Sequence, residues 1–507
     1  MVYRIRLVAL AVVAMLVMAG QHPIRAEDVS IDPNIVEVAA WEGWGTSLSW
    51  WGVYSGQWPR HKQREINRRL FGRGPDALGL NIVRYNAGGT SPDADPQLFR
   101  YGANVPIVLE QDGSWHLDRD RAQIQCLLLA RLFGANIFEL FVDSPPYWML
   151  NNGNTRGGDN GGENLNWDFH DDYARWLVQV AQKFEDTYGI RFSYIEPFNE
   201  PSASWWNPAT SRQEGCRITW GAQARIIKYL KSAIDESGRD YKITASDEFG
   251  AQEAYNTLNW LTSPGLGGLD NSSIHKVNVH AYSGWQWQES LRALASQRGI
   301  DKIWMSEVTF REWGNLGFVP YNMLCALPVT RSIVNDIKRL KPSAWLYWQP
   351  VEPLQYDLRY NYTYGLLPTS VDTEVTWDGR TYGPGDYVVA KSFYAMKQFT
   401  SFIRPGSRLV SANEFWTVAA LSPSGKRLII VVHNDATNSK NYNFDLSRFA
   451  SVGDAAKVWR TKDDENVNGQ LVEYNCRRLD DKPIENRRFV DTVPARSVTT
   501  YVIKVKN

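Results

Sequence analysis

The feature that most constrains this chain is an alternation. From about residue 41 to 402, short β-rich runs are separated by stretches with helical spacing of apolar residues. Strand and helix in turn, eight times, argue for a parallel sheet covered by helices. Eight such units in a stretch of this length match a closed (β/α)8 barrel with long loops. The strands are read as follows. The first runs into Trp44-Gly45-Thr46, the second is 81–85, and the third is 137–142, followed by Asp143-Ser144-Pro145-Pro146. The fourth is 192–198, ending in Asn199-Glu200-Pro201, and the fifth is 241–245, before Ser246-Asp247-Glu248. The sixth is 276–279, before His280; the seventh is 302–305, before Ser306-Glu307; the eighth is 344–347, before Trp348-Gln349. Between them, 171–188 carries Trp176, Leu177, Val180 and Phe184 at helical spacing, and 222–234 and 392–402 behave alike.

The two ends differ from the middle. From about Gly406 to Asn507 the pattern is strand-like alternation without a long helix, as in Leu428 to Val432 and Thr499 to Ile503. That reads as a small antiparallel β-sandwich side domain, to which Ser30 to Val38 lends a strand. At the start, Arg4 and Arg6 precede an apolar run from Leu7 to Met18, with Ala26 as a small residue before Glu27. This is the form of a signal peptide, too short for a comfortable membrane span. The expected organisation is therefore a signal peptide at 1–26, an N-terminal strand at 27–40 joining the β domain, a catalytic barrel at 41–405, and the side domain at 406–507. The mature protein is expected to be secreted, extracellular or periplasmic, without a membrane segment, and monomeric.

Charge narrows the partners. Lys and Arg number 55, as do Asp and Glu, for a formal net charge of zero. Nothing in that balance favours nucleic acid or an anionic membrane surface. The 22 Trp are unusual. Trp is costly to bury because its N–H needs a partner, so the clustered ones near strand ends are candidate platforms for the C–H faces of sugars. Four cysteines, Cys126, Cys216, Cys325 and Cys476, fit no metal pattern; in an exported protein they allow one or two disulfides, with the pairing open, while Cys126 lies in an apolar helical stretch as a buried thiol. Neither a His-x-x-x-His nor a Cys-x-x-Cys motif occurs, and Gly157 to Gly162 reads as turn material rather than a phosphate loop. No metal and no cofactor are expected.

A barrel of this type presents its reactive groups at the C-terminal ends of its strands. Two carboxylates stand there: Glu200 after strand four and Glu307 after strand seven. Those strands face each other across the mouth, so the carboxylates are expected about 5–5.5 Å apart, the spacing of a retaining glycosidase. Glu200 is assigned as general acid/base and Glu307 as nucleophile. A nucleophile must stay ionised, and Arg84 and Tyr282 are the candidate groups to hold it so. Asn199 is placed to hydrogen-bond the hydroxyl beside the reacting carbon. Asp247-Glu248 is a rival acidic pair, but neighbours on a strand point opposite ways, so at most one faces the site.

These residues resemble a known pattern. Asn199-Glu200 on strand four with Glu307 on strand seven is similar to the large clan of retaining (β/α)8 glycosidases. The finer resemblance is to glycoside hydrolase family 30, over nearly all of the mature chain. It rests on Gly43-Trp44-Gly45, Ser144-Pro145-Pro146-Tyr147-Trp148-Met149, Val279-His280-Ala281-Tyr282, Trp348-Gln349 and Phe399 through Gly406. Pro197 to Pro201, followed by Ser204-Trp205-Trp206 and Gln213-Glu214-Gly215-Cys216, looks like the endo-β-1,6-galactanase branch. The resemblance implies that Arg84, Trp148, Asn199, His280, Tyr282 and Trp348 line the subsite of the reacting sugar. It implies that Trp205 and Trp206 stack sugars on the leaving-group side. The expected activity is endo-hydrolysis of β-1,6-linked galactan with retention, the partner being a polysaccharide or oligosaccharide. The alternatives are a related enzyme on β-1,6-glucan, xylan or glucosides, or a non-catalytic carbohydrate-binding protein on the same barrel.

Overall fold

The computed structural model describes residues 26–309, 318–361 and 365–506; the expected signal peptide lies, but for Ala26, outside the described residues. Eight parallel strands close into a barrel: β2 (Gly43–Ser47), β3 (Ile82–Asn86), β4 (Ile137–Phe141), β5 (Tyr194–Glu196), β6 (Lys242–Gly250), β7 (Lys276–Ser283), β8 (Ile303–Val308) and β9 (Ala344–Tyr347). The ring closes where Trp44 of β2 pairs with Trp345 of β9. A helix follows each strand, from Arg60–Phe71 after β2 to Lys391–Thr400 after β9. The helix His170–Tyr188 shows why they form. Tyr173, Trp176, Leu177, Val180, Ala181 and Phe184 fall on one buried stripe, Asp171 and Asp172 sit in the first turn, and Gly189 at φ 63° ends it in the left-handed region.

Side chains of a strand alternate, so one residue in two points down the barrel axis. That set builds the interior in layers. The floor is apolar, made of Ile82, Tyr194, Trp304, Ala344 and Leu346. Two residues up each strand the character changes to Arg84, Glu139, Glu196, Thr244, Lys276 and Asn278, all fully buried. The Lys276 ammonium sits 3.1 Å above the Trp304 ring centroid and 2.5 Å from Glu139 Oε2. Above this layer lie Asp247, His280, Glu200 and Glu307.

Several strands run further than the sequence indicates. β6 continues through Ser246, Asp247 and Glu248 to Gly250, and β7 through His280 to Ser283. β5 is shorter, only Tyr194–Glu196. Register shifts between β6 and β7, and between β7 and β8, re-aim these ends. Of the rival pair, Asp247 faces the axis toward Arg84 and Ser306, while Glu248 bonds Ser202 and Thr257 on the outside.

The second body is a ten-stranded, largely antiparallel sheet built from the chain after Arg408 and from β1 (Glu27–Val38). β1 lies between the strand Arg408–Ala412, antiparallel, and the strand Lys440–Asp445, parallel. The sheet folds over itself: Phe444 and Tyr501, on strands far apart in its order, have ring centroids 5.1 Å apart. This makes a sandwich with its own core of Val29, Ile31, Leu428, Ile430, Val432, Tyr442, Phe444 and Tyr501. The other face of the sheet, with Val418, Ile429, Val431 and Val498, merges with the barrel core. The Trp44 indole donates to Ile403 O at 2.7 Å across the same junction. All four cysteines are free thiols, so the disulfides allowed by the sequence do not form.

Candidate active site

One large cleft opens at the C-terminal end of the barrel, about 1220 Å³ in volume. Among its lining residues are Asp143, Asn199, Glu200, Trp205, Tyr282, Glu307 and Trp348. At its base a carboxylate oxygen of Glu200, one of Glu307 and a ring nitrogen of His280 all lie within 4.8 Å of one another. Glu200 sits just past β5 with φ 47°, a left-handed conformation uncommon for a side chain of this size. Its amide donates to Asp247 O at 2.9 Å, and the Trp206 indole donates to its carbonyl at 3.0 Å. Glu307 ends β8 and receives the Tyr282 hydroxyl at 2.9 Å. Arg84 Nη1 lies 3.7 Å from Glu307 Oε2.

His280 stands beneath both carboxylates. Its Nδ1 is 3.0 Å from Glu200 Oε1 and 3.6 Å from Glu307 Oε1, and its Nε2 is 3.2 Å from Asp247 Oδ1. Burial opposes a charge on the imidazole, but Glu307 and Asp247 hold its pKa well above the usual value. The surrounding carboxylates thus favour the protonated ring. Asp247 is a carboxylate: burial works against its charge, and the Arg84 and His280 cations bring its pKa below the ordinary range. Glu307 is balanced. Burial pushes its carboxyl up to about 7, with His280 and Arg84 pulling down and Glu200 and Asp247 pushing up. Glu200, His280 and Glu307 each offer one atom within 4.8 Å of the others.

The structure places the expected residues at different depths. Glu200, Glu307, Asn199, Tyr282 and Trp348 meet in the cleft. The Asn199 Oδ1 is buried and has no hydrogen-bond partner, which leaves it free for a ligand hydroxyl. Trp348 packs edge-on against Trp50 at 4.9 Å. Arg84 and His280 are fully buried and are not among the residues lining the cleft; both approach Glu307 from beneath. Arg84 is bound below by Glu139 at 2.9 Å and by Asp247, and acts on Glu307 from beneath. Trp148 also lies outside the cleft lining, edge-on to Phe169 at 5.7 Å. Trp205 and Trp206 both line the cleft, Trp205 48 % exposed and Trp206 only 2 %.

Sequence reasoning missed part of the lining: Trp50, Arg100, Tyr101, Asp143, Gln349 and Glu352. Asp143 had a signal, since it leaves an apolar run at a strand end just as Glu200 does. Trp50, Arg100 and Tyr101 lie on loops with no periodicity to mark them.

The comparisons with known proteins agree with this geometry. Residues 28–264 match the family model described as O-Glycosyl hydrolase family 30. An endo-beta-1,6-galactanase of Hypocrea rufa is 28% identical over 496 residues, which span 94% of this chain and 94% of that protein. A conserved exported protein from Bacteroides fragilis superposes with a TM-score of 0.75 at 22% identity, over 94% of this chain and 100% of that one. The catalytic domain of GH30 xylanase C from Talaromyces cellulolyticus does so with a TM-score of 0.67 at 18% identity, over 94% and 100%.

Proposed function

We propose that this chain, which carries an O-glycosyl hydrolase family 30 domain, is a secreted, monomeric endo-glycosidase that cuts β-1,6-linked galactan with retention of configuration. Hydrolysis of a glycosidic bond is the activity of the family. The galactan linkage and the endo mode rest on the likeness to the Hypocrea rufa galactanase and on the loop from Pro197 to Cys216. Export rests on the N-terminal segment and on the likeness to the exported protein of Bacteroides fragilis. Among the described residues no helix is long and apolar enough to cross a membrane.

The observation that carries the mechanism is the approach of Glu200 and Glu307 oxygens to within 4.8 Å. That approach supports the narrow arrangement, whose pair works by double displacement, over the wider one that admits a water. In this reading Glu307 attacks the anomeric carbon while Glu200 gives its proton to the departing oxygen. A glycosyl ester forms on Glu307. Glu200, now a carboxylate, takes a proton from water as the water attacks the same carbon, and Glu307 leaves. The nearby Glu200 raises the pKa of Glu307. Tyr282 and Arg84 favour the ionised form of Glu307, and the open Asn199 oxygen takes the hydroxyl beside the reacting carbon. Trp205 offers its exposed face to sugars of the leaving group.

NMR of fresh product from β-1,6-galactan, read before mutarotation, tests this reading. The first product is expected as the β-anomer. An initial α-anomer would remove Glu307 from the role of nucleophile, and absence of cleavage alongside turnover of β-1,6-glucan or xylan would remove the galactan assignment.

A further inference from the structure

Asp143 is one of two carboxylates lining the cleft, with Glu352, for which the double displacement has no use. It lies two residues beyond β4 and is 6% exposed. Its position is held from behind. Asn86 Nδ2 donates to Asp143 Oδ2 at 2.9 Å, and the Asp143 amide donates to Asn86 Oδ1 at 3.1 Å. Asn86 Nδ2 also lies 3.2 Å from Glu214 Oε2. Glu214 is anchored in turn by the Thr90 hydroxyl at 2.6 Å and the Gly89 amide at 3.2 Å. Gly89 is required there: a Cβ would stand 2.3 Å from Pro145 O and 2.6 Å from Ser144 O, the residues just after Asp143. The loop after β3 is thus packed backbone to backbone against the segment that carries Asp143.

What faces the cleft is less complete. Among the described residues Asp143 forms no ion pair and its Oδ1 accepts no hydrogen bond, although the buried Arg84 cation is near enough to lower its pKa. Burial, then the nearby Glu214 and Glu307 carboxyls, raise its pKa well above the carboxylate range. A carboxyl oxygen so placed can accept a hydrogen bond from a sugar hydroxyl. A polar atom held rigidly and left without a protein partner in a cleft is costly unless a ligand completes it.

We propose that Asp143 is a specificity-determining residue that contacts substrate: its Oδ1 takes the C3 or C4 hydroxyl of the ring seated over Glu307, with Asn86 and Glu214 fixing its direction. This rests on the glycosidase reading above, in which Asn199 serves the hydroxyl at C2. Galactose and glucose differ only in the configuration at C4, so a contact to the C4 hydroxyl selects between them, whereas one to the C3 hydroxyl selects for an intact C3 hydroxyl in either sugar.

The test uses the full mature chain and three aryl β-1,6-galactobiosides whose reacting ring is intact, 3-deoxy or 4-deoxy. For the wild type, kcat/KM is expected to fall about 100-fold or more on one deoxy substrate, because a site built around a hydroxyl rejects the analogue lacking it. Asp143→Ala is expected to lose a similar factor on the intact substrate and little further on that deoxy substrate. Asp143→Asn, which keeps shape and acceptor, is expected to retain most of the activity and the wild-type melting temperature. Equal losses by Asp143→Ala on all three substrates would overturn the proposal and leave Asp143 a scaffold for its loop. If the wild type cleaves no galactoside but does cleave another β-glycoside, the galactan reading falls, and the same deoxy series made in that sugar decides the role of Asp143.

Discussion

The barrel and the side domain bury their interiors in opposite ways. The sandwich core is aliphatic and aromatic, from Val29 and Ile31 through Leu428, Ile430 and Val432 to Phe444 and Tyr501. The barrel axis above its floor carries Arg84, Glu139, Glu196, Asp247, Lys276 and His280, each without exposure to solvent. An aliphatic core gives stability directly, since each removed methylene costs. Buried ions give little net stability, because desolvation offsets their attraction, yet removing one member leaves its partner stranded. The barrel interior is thus an electrostatic device more than a stabilising one. It stands under the two acids and acts on the charge of Glu307.

Substitutions in the two regions are expected to separate these roles. The largest effect falls on Glu307. Glu307→Ala is expected to lose several orders of magnitude in turnover while melting close to the wild type, with partial rescue by azide or formate giving inverted product. Substantial residual activity on the polymer would remove the covalent role. Phe444→Ala empties part of the sandwich core and is expected to cost about 3–5 kcal/mol in stability. Measured well below the transition, its kcat and KM are expected to be unchanged; a matching loss in kcat would show that the sandwich holds the site as well as itself.

The smallest effect is the most informative about charge. With the Glu307 carboxyl pushed up to about 7, kcat/KM is expected to fall on the acid side of neutrality as the nucleophile is protonated. The Tyr282 hydroxyl donates to Glu307 and favours its ionised form. Tyr282→Phe removes that donor, so the acid limb is expected to move to higher pH, by about 0.5–1 unit. A pH–rate profile of the two proteins decides this, and a shift to lower pH would contradict the hydrogen bond's direction.

Much of the frame was legible. Short apolar runs closed by polar residues marked all eight barrel strands, and Glu200 and Glu307 stand where two of them end. Depth was not legible. Arg84 and His280 occupy the expected strands, but a strand buried on both faces gives no sign of how far below the mouth a residue lies. Glu139, Glu196 and Lys276 escaped notice for a related reason. Each is a single charged residue in an apolar run, and only the closed barrel brings Lys276 to Glu139. Adjacent residues on an irregular loop were equally indistinct: Trp205 and Trp206 read alike, and only packing turns one outward and the other onto the Glu200 carbonyl. The disulfides allowed by four cysteines depended on a proximity that sequence does not carry.

The placement of β1 has a consequence for the order in which this protein is made. Val38 pairs with Leu409, 371 residues later in the chain. At a synthesis rate of about 5–20 residues per second, β1 emerges roughly 20–75 s before its first partner strand exists. Throughout that interval Val29 and Ile31 have no sandwich core to enter, and the whole barrel is translated in between. The earliest described segment is therefore among the last to find its place. A nascent chain stopped anywhere within the barrel carries an unpaired strand edge at its front, which gives holding factors and self-association alike a defined point of attack.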